Sequence, residues 1–481
     1  MFTDPLSELD ARFMDAMGRA FGTDLPSDAG TAIAPARNPQ FGDFQANAAM
    51  ALGKRLGRPP REVAQAIIDA LKVDDLVEPP EIAGPGFINL RLRSGALHSA
   101  LASLDGPALG IDTPNRVETV IVDLCGVNLA KEMHVGHIRA TVIGDCLARL
   151  YERLGHTVKR QNHFGDWGLP IGMVTHAVRR LSERGQVRIA DLSLSDLERI
   201  YREAQLACAA DHKGLAAVRR FGLGPKAEAE LEAQVSGAEA AMSEAKAALV
   251  ALQSGDEGYV SVWRQIADIT LRACFDNCRR LQVNVTEAHT AGESTYREEL
   301  AEVVRDLESR GVAEESDGAL VVRLDEYGIK EPLLLRKSDG GFLYATTDVA
   351  AVRRRVQVLG GDRLVYAVDA RQSLHFSQVF AASRKAGYTR HPDGREAELF
   401  HAHFGTILGS DNKPFKTRSG DNVKLRDLLD EAVRRADAAV AEKNPDLSAE
   451  ERRQVAEAVG IGAIKYADLS SDRIKDYVFD W

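Results

Sequence analysis

The chain has 481 residues, with 61 Lys and Arg against 71 Asp and Glu, a net charge of −10, and 44% apolar residues. That balance fits an ordinary globular protein of roughly three domains and excludes a chain coated in basic charge, although a local nucleic-acid-binding face stays open because binding depends on where the cations sit. No run approaches the ~20 apolar residues of a membrane span, and the N-terminus lacks the basic-then-apolar pattern of a secretory leader.

Residues 1–95 read as a small α+β unit. Ser7 to Phe21 has helical periodicity, Asn38 to Phe44 breaks it, and a second helix is expected from Gln45 to about Leu56. Pro59-Pro60 suits the first turn of a third helix. In 84–92, Phe87, Asn89 and Arg91 alternate with Ile88, Leu90 and Leu92, the pattern of a half-buried strand. Residues 94–116, with scattered Gly, Pro and Asp, read as a linker.

A second unit opens at 117–126 with an apolar run fit for a buried parallel strand. A loop, a helix from about Ile138 to Leu154 and a strand beginning at Val158 follow, the βαβ rhythm of an α/β fold with a parallel sheet. Residues about 170–258 are helical and rich in Ala, Glu and Lys, an insertion into that fold. Three stretches, 320–324, 332–337 and 341–348, look strand-like, the first two within a second insertion at about 293–341. Residues 364–369 make another buried strand, and the chain turns helical again from Leu425.

The five cysteines, Cys125, Cys146, Cys208, Cys274 and Cys278, are few and odd in number, which suggests a reducing, cytoplasmic compartment. Cys274 and Cys278 share a helical face, but no CxxC pair or His-Cys cluster accompanies them, so they read as small buried hydrophobes and no metal site is expected.

The strongest chemical signal is His134-Val135-Gly136-His137, after a buried strand and at the start of a helix. Free N–H groups and a partial positive charge make such a helix start fit for phosphate. Gly136 would allow close approach of a nucleotide, and both histidines could donate to phosphate oxygens in a transition state. A second signal is the cationic loop Lys413 to Gly420, whose Lys413 and Lys416 can act as point charges on a triphosphate.

Together these signals resemble the HIGH motif and KMSK loop of class I aminoacyl-tRNA synthetases. NLAKEMHVGHIRATVIGD (128–145), QNHFGDWG (161–168), AGESTY (291–296), YATTDVAA (344–351), DARQSLHF (369–376), NKPFKTR (412–418) and the final 459–481 narrow the likeness to arginyl-tRNA synthetases, in that family's order. The resemblance implies a class I Rossmann-type α/β catalytic domain over 117–425. It also implies an N-terminal tRNA-contacting domain over 1–95, and a helical segment, 426–481, that starts an anticodon-binding domain whose remainder is missing. It further implies ATP and Mg2+, with His134, Gly136, His137 and Lys416 on ATP and with Lys131, Lys413 and Lys416 countering the departing pyrophosphate. Asn128, Glu293, Tyr344, Asp348 and Gln372 would hold arginine, since carboxylates read a guanidinium fork best. Phe87 and Asn89 would contact the tRNA. The expected partners are L-arginine, ATP and tRNA(Arg), the last bound weakly without the anticodon domain, and the working form is a monomer.

Two departures bear on chemistry. Gly126-Val127 stands where the family has Ser-Pro, removing a hydroxyl and a stiffening proline. Glu132 places a negative charge beside the polyphosphate site and should weaken ATP binding unless Lys131 or another cation pairs with it. Sequence leaves two other readings open: a paralogue that passes activated arginine to a non-tRNA acceptor, and a non-catalytic regulator that binds arginine or RNA.

Overall fold

The computed structural model describes residues 4–105, 109–111, 114–337, 341–415 and 423–480. The chain divides into two compact units, Met1–Pro114 and Asn115–Trp481.

The first unit opens with α1 (Pro5–Phe21), whose start is capped by the Asp4 carboxylate accepting from the Leu6 N–H. Leu9, Phe13, Met17 and Phe21 recur every four residues and are all buried, so one stripe of the helix faces the core. Four short strands, β1 (Ile33–Pro35), β2 (Phe44–Ala46), β3 (Glu81–Ala83) and β4 (Phe87–Leu90), form an antiparallel sheet in the order β1-β2-β4-β3. Helices α2 (Ala48–Leu56) and α3 (Pro60–Ala70) complete the unit. Gln45 and Ala46 lie in a strand rather than at the start of the expected helix. Gln45 pairs with Asn89 across the sheet, and its amide donates to Asn89 Oδ1 at 2.8 Å. Residues expected as linker instead make α4 (Ser94–Leu104), whose Ala96 and Ala100 are buried one turn apart.

In the second unit β5 (Thr119–Asp123), α5 (Gly136–Arg153) and β6 (Thr157–Gln161) form the βαβ unit. Five helices follow: α6 (Leu169–Glu183), α7 (Leu194–Ala207), α8 (His212–Phe221), α9 (Pro225–Gln253) and α10 (Glu257–Arg280). Gly172 lets α6 meet α9 closely, because a Cβ there would lie 2.7 Å from the Ala245 carbonyl. Next come α11 (Arg297–Ser309) and an antiparallel sheet of β7 (Glu314–Ser316), β8 (Ala319–Leu324) and β9 (Ile329–Arg336). The expected strand at 341–348 is instead the entry to α12 (Tyr344–Gln357), which buries Val349, Val352 and Val356. That 3.6-residue stripe overrides the β-branched Thr346-Thr347 pair.

The chain returns to the sheet through β10 (Arg363–Tyr366), α13 (Ser373–Lys385) and β11 (Glu398–His401), giving a parallel sheet ordered β11-β10-β5-β6. Alternate residues on its strands face opposite layers. Val120, Val122 and Val365 join one hydrophobic cluster, while Ile121, Leu364 and Tyr366 join another on the opposite face. After β12 (Ile407–Leu408), helices α14 (Leu425–Lys443) and α15 (Ala449–Leu469) pack together, and β13 (Tyr477–Val478) pairs with β12. Leu425, Leu429, Ile461 and Phe479 join the cluster of Val120 and Val122.

Candidate active site

In the sheet order, β6 lies on one side of β5 and β10 on the other. Crossovers that leave in opposite directions open a crevice beyond the carboxyl ends of the strands, the usual ligand site of such sheets. The loop after β5 carries Asn128, Lys131 and the HVGH segment into that region. Buried Met133, Val135 and Ile138 anchor the segment in the core under the sheet, leaving His134 and His137 between them on one side.

The two imidazoles sit 4.1 Å apart, centre to centre. The Gly136 N–H donates to His134 Nδ1 at 3.0 Å, and the His134 N–H donates to His137 Nδ1 at 3.0 Å. Both Nδ1 atoms are therefore acceptors, which places the ring proton on Nε2 in each and leaves two N–H donors for an oxyanion. Burial, reinforced by the charges of His137, Lys131 and Arg371, lowers the His134 pKa to about 4. Burial likewise lowers that of His137. Gly136 makes room for the ring, since a Cβ there would lie 2.8 Å from His134 Cε1.

The far side of the cationic loop is strapped to this segment. Val135 donates to the Val423 carbonyl at 2.9 Å, Leu425 donates to that of Met133 at 2.8 Å, and Lys424 forms a β-bridge with His134. Lys413 is exposed, its N–H bonded to Asp411. Lys416 lies outside the described residues. Glu132 does not stand as a free negative charge beside the phosphates: Lys424 binds it at 2.9 Å, Arg426 lies 3.6 Å away, and the Ser195 hydroxyl donates to it at 2.5 Å. Burial opposes its ionisation, yet these partners hold its pKa below the usual value. Lys131 instead lies 5.1 Å from the Tyr201 ring centre.

The altered Gly126-Val127 stretch is held without its proline. Cys125 and Gly126 have φ of 74° and 61°, and the Gly126 N–H donates to Asn162 Oδ1 at 3.2 Å.

A cavity of about 1130 Å³ is lined by Asn128, Lys131, Trp167, Glu293 and Tyr344. Glu293 is half-buried, and desolvation together with the nearby charges of Asp166 and Asp348 raises its pKa to about 7. Asp166 is raised to about 6, mainly by burial, although the Ser294 hydroxyl donates to it at 2.6 Å. Asp348, one turn after Tyr344 on α12, meets His375 at 2.6 Å and His163 at 3.7 Å. Tyr344 is 62% exposed, and its ring lies 4.9 Å from that of His375. Gln372 is exposed just before α13. Glu293 thus feels two neighbouring carboxylates, while the cavity wall also carries Lys131, Arg264, Arg297 and Lys337.

Asp166, His163 and His375 were not singled out from the sequence, although each stands inside a quoted motif. The available signal was position: His163 lies just beyond the carboxyl end of β6, where ligands bind in such sheets. Phe87 and Asn89 belong to the first unit, half-buried on the face of β4 opposite the buried Ile88 and Leu90.

Comparison with known proteins gives a consistent result. Residues 100–481 match the family model for the catalytic domain of class I (R) tRNA synthetases, and residues 7–92 match that for the arginyl-tRNA synthetase N-terminal domain. The arginine–tRNA ligase of Laribacter hongkongensis is 46% identical over 459 residues, covering 94% of this chain and 74% of the relative. That of Serratia proteamaculans is 44% identical over 461 residues, covering 95% and 74%. The crystal structure of the Plasmodium falciparum arginyl-tRNA synthetase superposes with a TM-score of 0.76 at 25% identity, covering all of this chain and 77% of that one. The Thermus thermophilus arginyl-tRNA synthetase shares the fold with a TM-score of 0.72 at 23% identity, over 98% of this chain and 77% of that one.

Proposed function

The chain belongs to the arginyl-tRNA synthetases, and on that premise we propose how its residues divide the work. Its reaction is ATP-dependent activation of arginine as the adenylate, followed by transfer of the arginyl group to the 3′ end of tRNA(Arg). The observation that carries the assignment of the pocket is the mutual repulsion of Glu293, Asp166 and Asp348 at one end of it. A guanidinium, always protonated and forked, relieves that repulsion and is matched by carboxylates at fixed positions. Tyr344 covers the guanidinium, while Asn128 and Gln372 hold the ammonium and carboxylate end.

The arginine carboxylate attacks the α-phosphorus of ATP, and pyrophosphate leaves. As charge builds on the phosphate oxygens, the Nε2–H groups of His134 and His137 donate to them, which stabilises the transition state more than the ground state. Because both rings are neutral donors, neither gives up nor takes a proton in this step. Lys131, Lys413 and Lys416 counter the charge of the leaving pyrophosphate, and magnesium comes with the ATP substrate as its counter-ion. Residues 1–95 form the tRNA-contacting domain, with Phe87 stacking on and Asn89 bonding to a tRNA nucleotide. Residues 117–425 form the catalytic domain and 426–481 the helical segment after it. The working form is a monomer, and five free cysteines support a reducing, cytoplasmic setting.

The test is arginine-dependent ATP–pyrophosphate exchange, measured with and without tRNA(Arg), alongside charging of that tRNA. Asp348→Ala should raise the KM for arginine by roughly 100-fold or more, because a pocket made for a charged group loses the most when that group's partner goes. Unchanged arginine dependence in that variant would remove Asp348 from the pocket.

A further inference from the structure

The loop after β5 and the buried face of α10 bring together three thiols from distant parts of the chain. Cys125 Sγ lies 3.6 Å from Cys274 Sγ. With Cys278, one helical turn further on, the three sulfurs all lie within 4.8 Å of one another. Each residue is at most 1% exposed. We propose that Cys125, Cys274 and Cys278 form a three-sulfur site for a soft d10 metal ion, of which monovalent copper is the best match.

The geometry argues for the class of ion. With metal–sulfur bonds of about 2.3 Å, three sulfurs around a trigonal centre lie about 4 Å apart, and the cluster spans that spacing. Among the described residues no fourth His, Cys, Asp or Glu joins the group, whereas structural zinc takes four protein ligands. Soft sulfur donors at low coordination select Cu(I).

An approach path exists. Cys274 lines a side cavity of about 160 Å³ whose walls include Val127, Lys131, Thr270 and Asn277. Cys125 has a φ of 74°, a left-handed conformation that non-glycine residues adopt rarely and at a cost, and it directs this side chain onto α10. Binding is balanced as follows: Cu+ enters, and the three thiols ligate as thiolates and release three protons to water. The site then carries two negative charges, and no oxidant or reductant is consumed.

The test is titration of the full-length protein with Cu(I) held by a competing chromophoric chelator, under anaerobic conditions. One equivalent should bind with sub-nanomolar affinity, and X-ray absorption of the loaded wild-type protein should show three sulfurs at about 2.3 Å. Cys274→Ser/Cys278→Ser should retain arginine-dependent exchange and lose at least 100-fold in copper affinity. A sulfur shell of two or fewer, binding unaffected by the double substitution, or a Cys125–Cys274 disulfide with no metal uptake would each overturn the proposal. The absorption measurement decides the matter on the wild-type protein if the double variant does not fold.

Discussion

At the scale of single residues, Glu293 and its carboxylate neighbours store unfavourable electrostatics that the proposed guanidinium would relieve. Glu293 has its pKa raised to about 7 by burial and by Asp166 and Asp348. A carboxyl with a raised folded-state pKa binds its proton more tightly in the native state. Its cost to folding is therefore absent near pH 4.5, grows as pH rises through neutrality, and is complete above about pH 7. At about 1.4 kcal/mol per unit, that cost is on the order of 3 kcal/mol at pH 8. Glu293→Gln should be more stable than the wild type by up to about that amount at pH 8 and equal to it near pH 4.5, while losing arginine binding. Urea unfolding at both pH values checks the first half and calorimetry the second. On the proposed assignment arginine meets the ionised carboxylate, so in the wild type its affinity should fall by up to about tenfold per unit below pH 7. His134, at about 4, is neutral throughout that range and contributes nothing to the slope. A methyl group at Gly136 would press on the His134 ring. Gly136→Ala should accordingly lower kcat for exchange by about 10- to 100-fold and leave the arginine KM nearly unchanged, since small displacements of catalytic groups cost rate before binding.

At the scale of elements, Glu132 ties together segments far apart in sequence. It joins the HVGH loop to Lys424 and Arg426 beyond the cationic loop and to Ser195 on α7. The acidic residue that looked like a liability to ATP instead acts as a clasp. Lys424→Met should raise the ATP KM more than the arginine KM. A double-mutant cycle with Glu132→Gln should return a coupling of about 1 kcal/mol, the scale of a partly exposed pair. Equal effects on both KM values would show that the clasp does not act on the nucleotide side. The clasp also marks where the sequence stops being legible. The HVGH segment, its strand before and helix after, and the alternation of β4 are local patterns, and local patterns can be read from one chain. The entry to α12 was not, because Thr346 and Thr347 suggest a strand and only the burial of Val349, Val352 and Val356 decides for a helix. The stretch of α4 reads as linker because Gly, Pro and Asp are scattered over 94–116, and only the burial of Ala96 and Ala100 decides for a helix. The Asp348, His163 and His375 contacts and the three-thiol cluster join separate segments, and no periodicity in the chain encodes such meetings.

At the scale of the whole catalytic unit, the helix that begins at HVGH is pinned from the opposite end of the sequence. Arg139, on the first turn of α5, forms an ion pair with Asp468 on α15 at 2.9 Å, with both side chains at most 1% exposed. Its guanidinium also donates to the carbonyls of Gly405 and Lys475 at 2.8 and 3.0 Å and lies over the rings of Phe404 and Tyr477. Gly405, Asp468 and Lys475 are thus part of the platform that orients the two histidines, not an appendage to it. Removing one partner of such a pair strands the other charge in the core, which costs about 3–5 kcal/mol. Asp468→Leu should lower stability by that amount, measured from the urea midpoint, and should slow adenylate formation although Asp468 touches no substrate. Arg139→Met combined with Asp468→Leu removes both charges and should recover part of the lost stability, because an apolar pair of similar volume needs no compensation. The lost activity should not return with it, since the carbonyls of Gly405 and Lys475 would still lack the donor that joins them to α5. Recovery of stability and rate together would mean that Arg139 serves packing alone and that the histidines take their position from β5 and its loop.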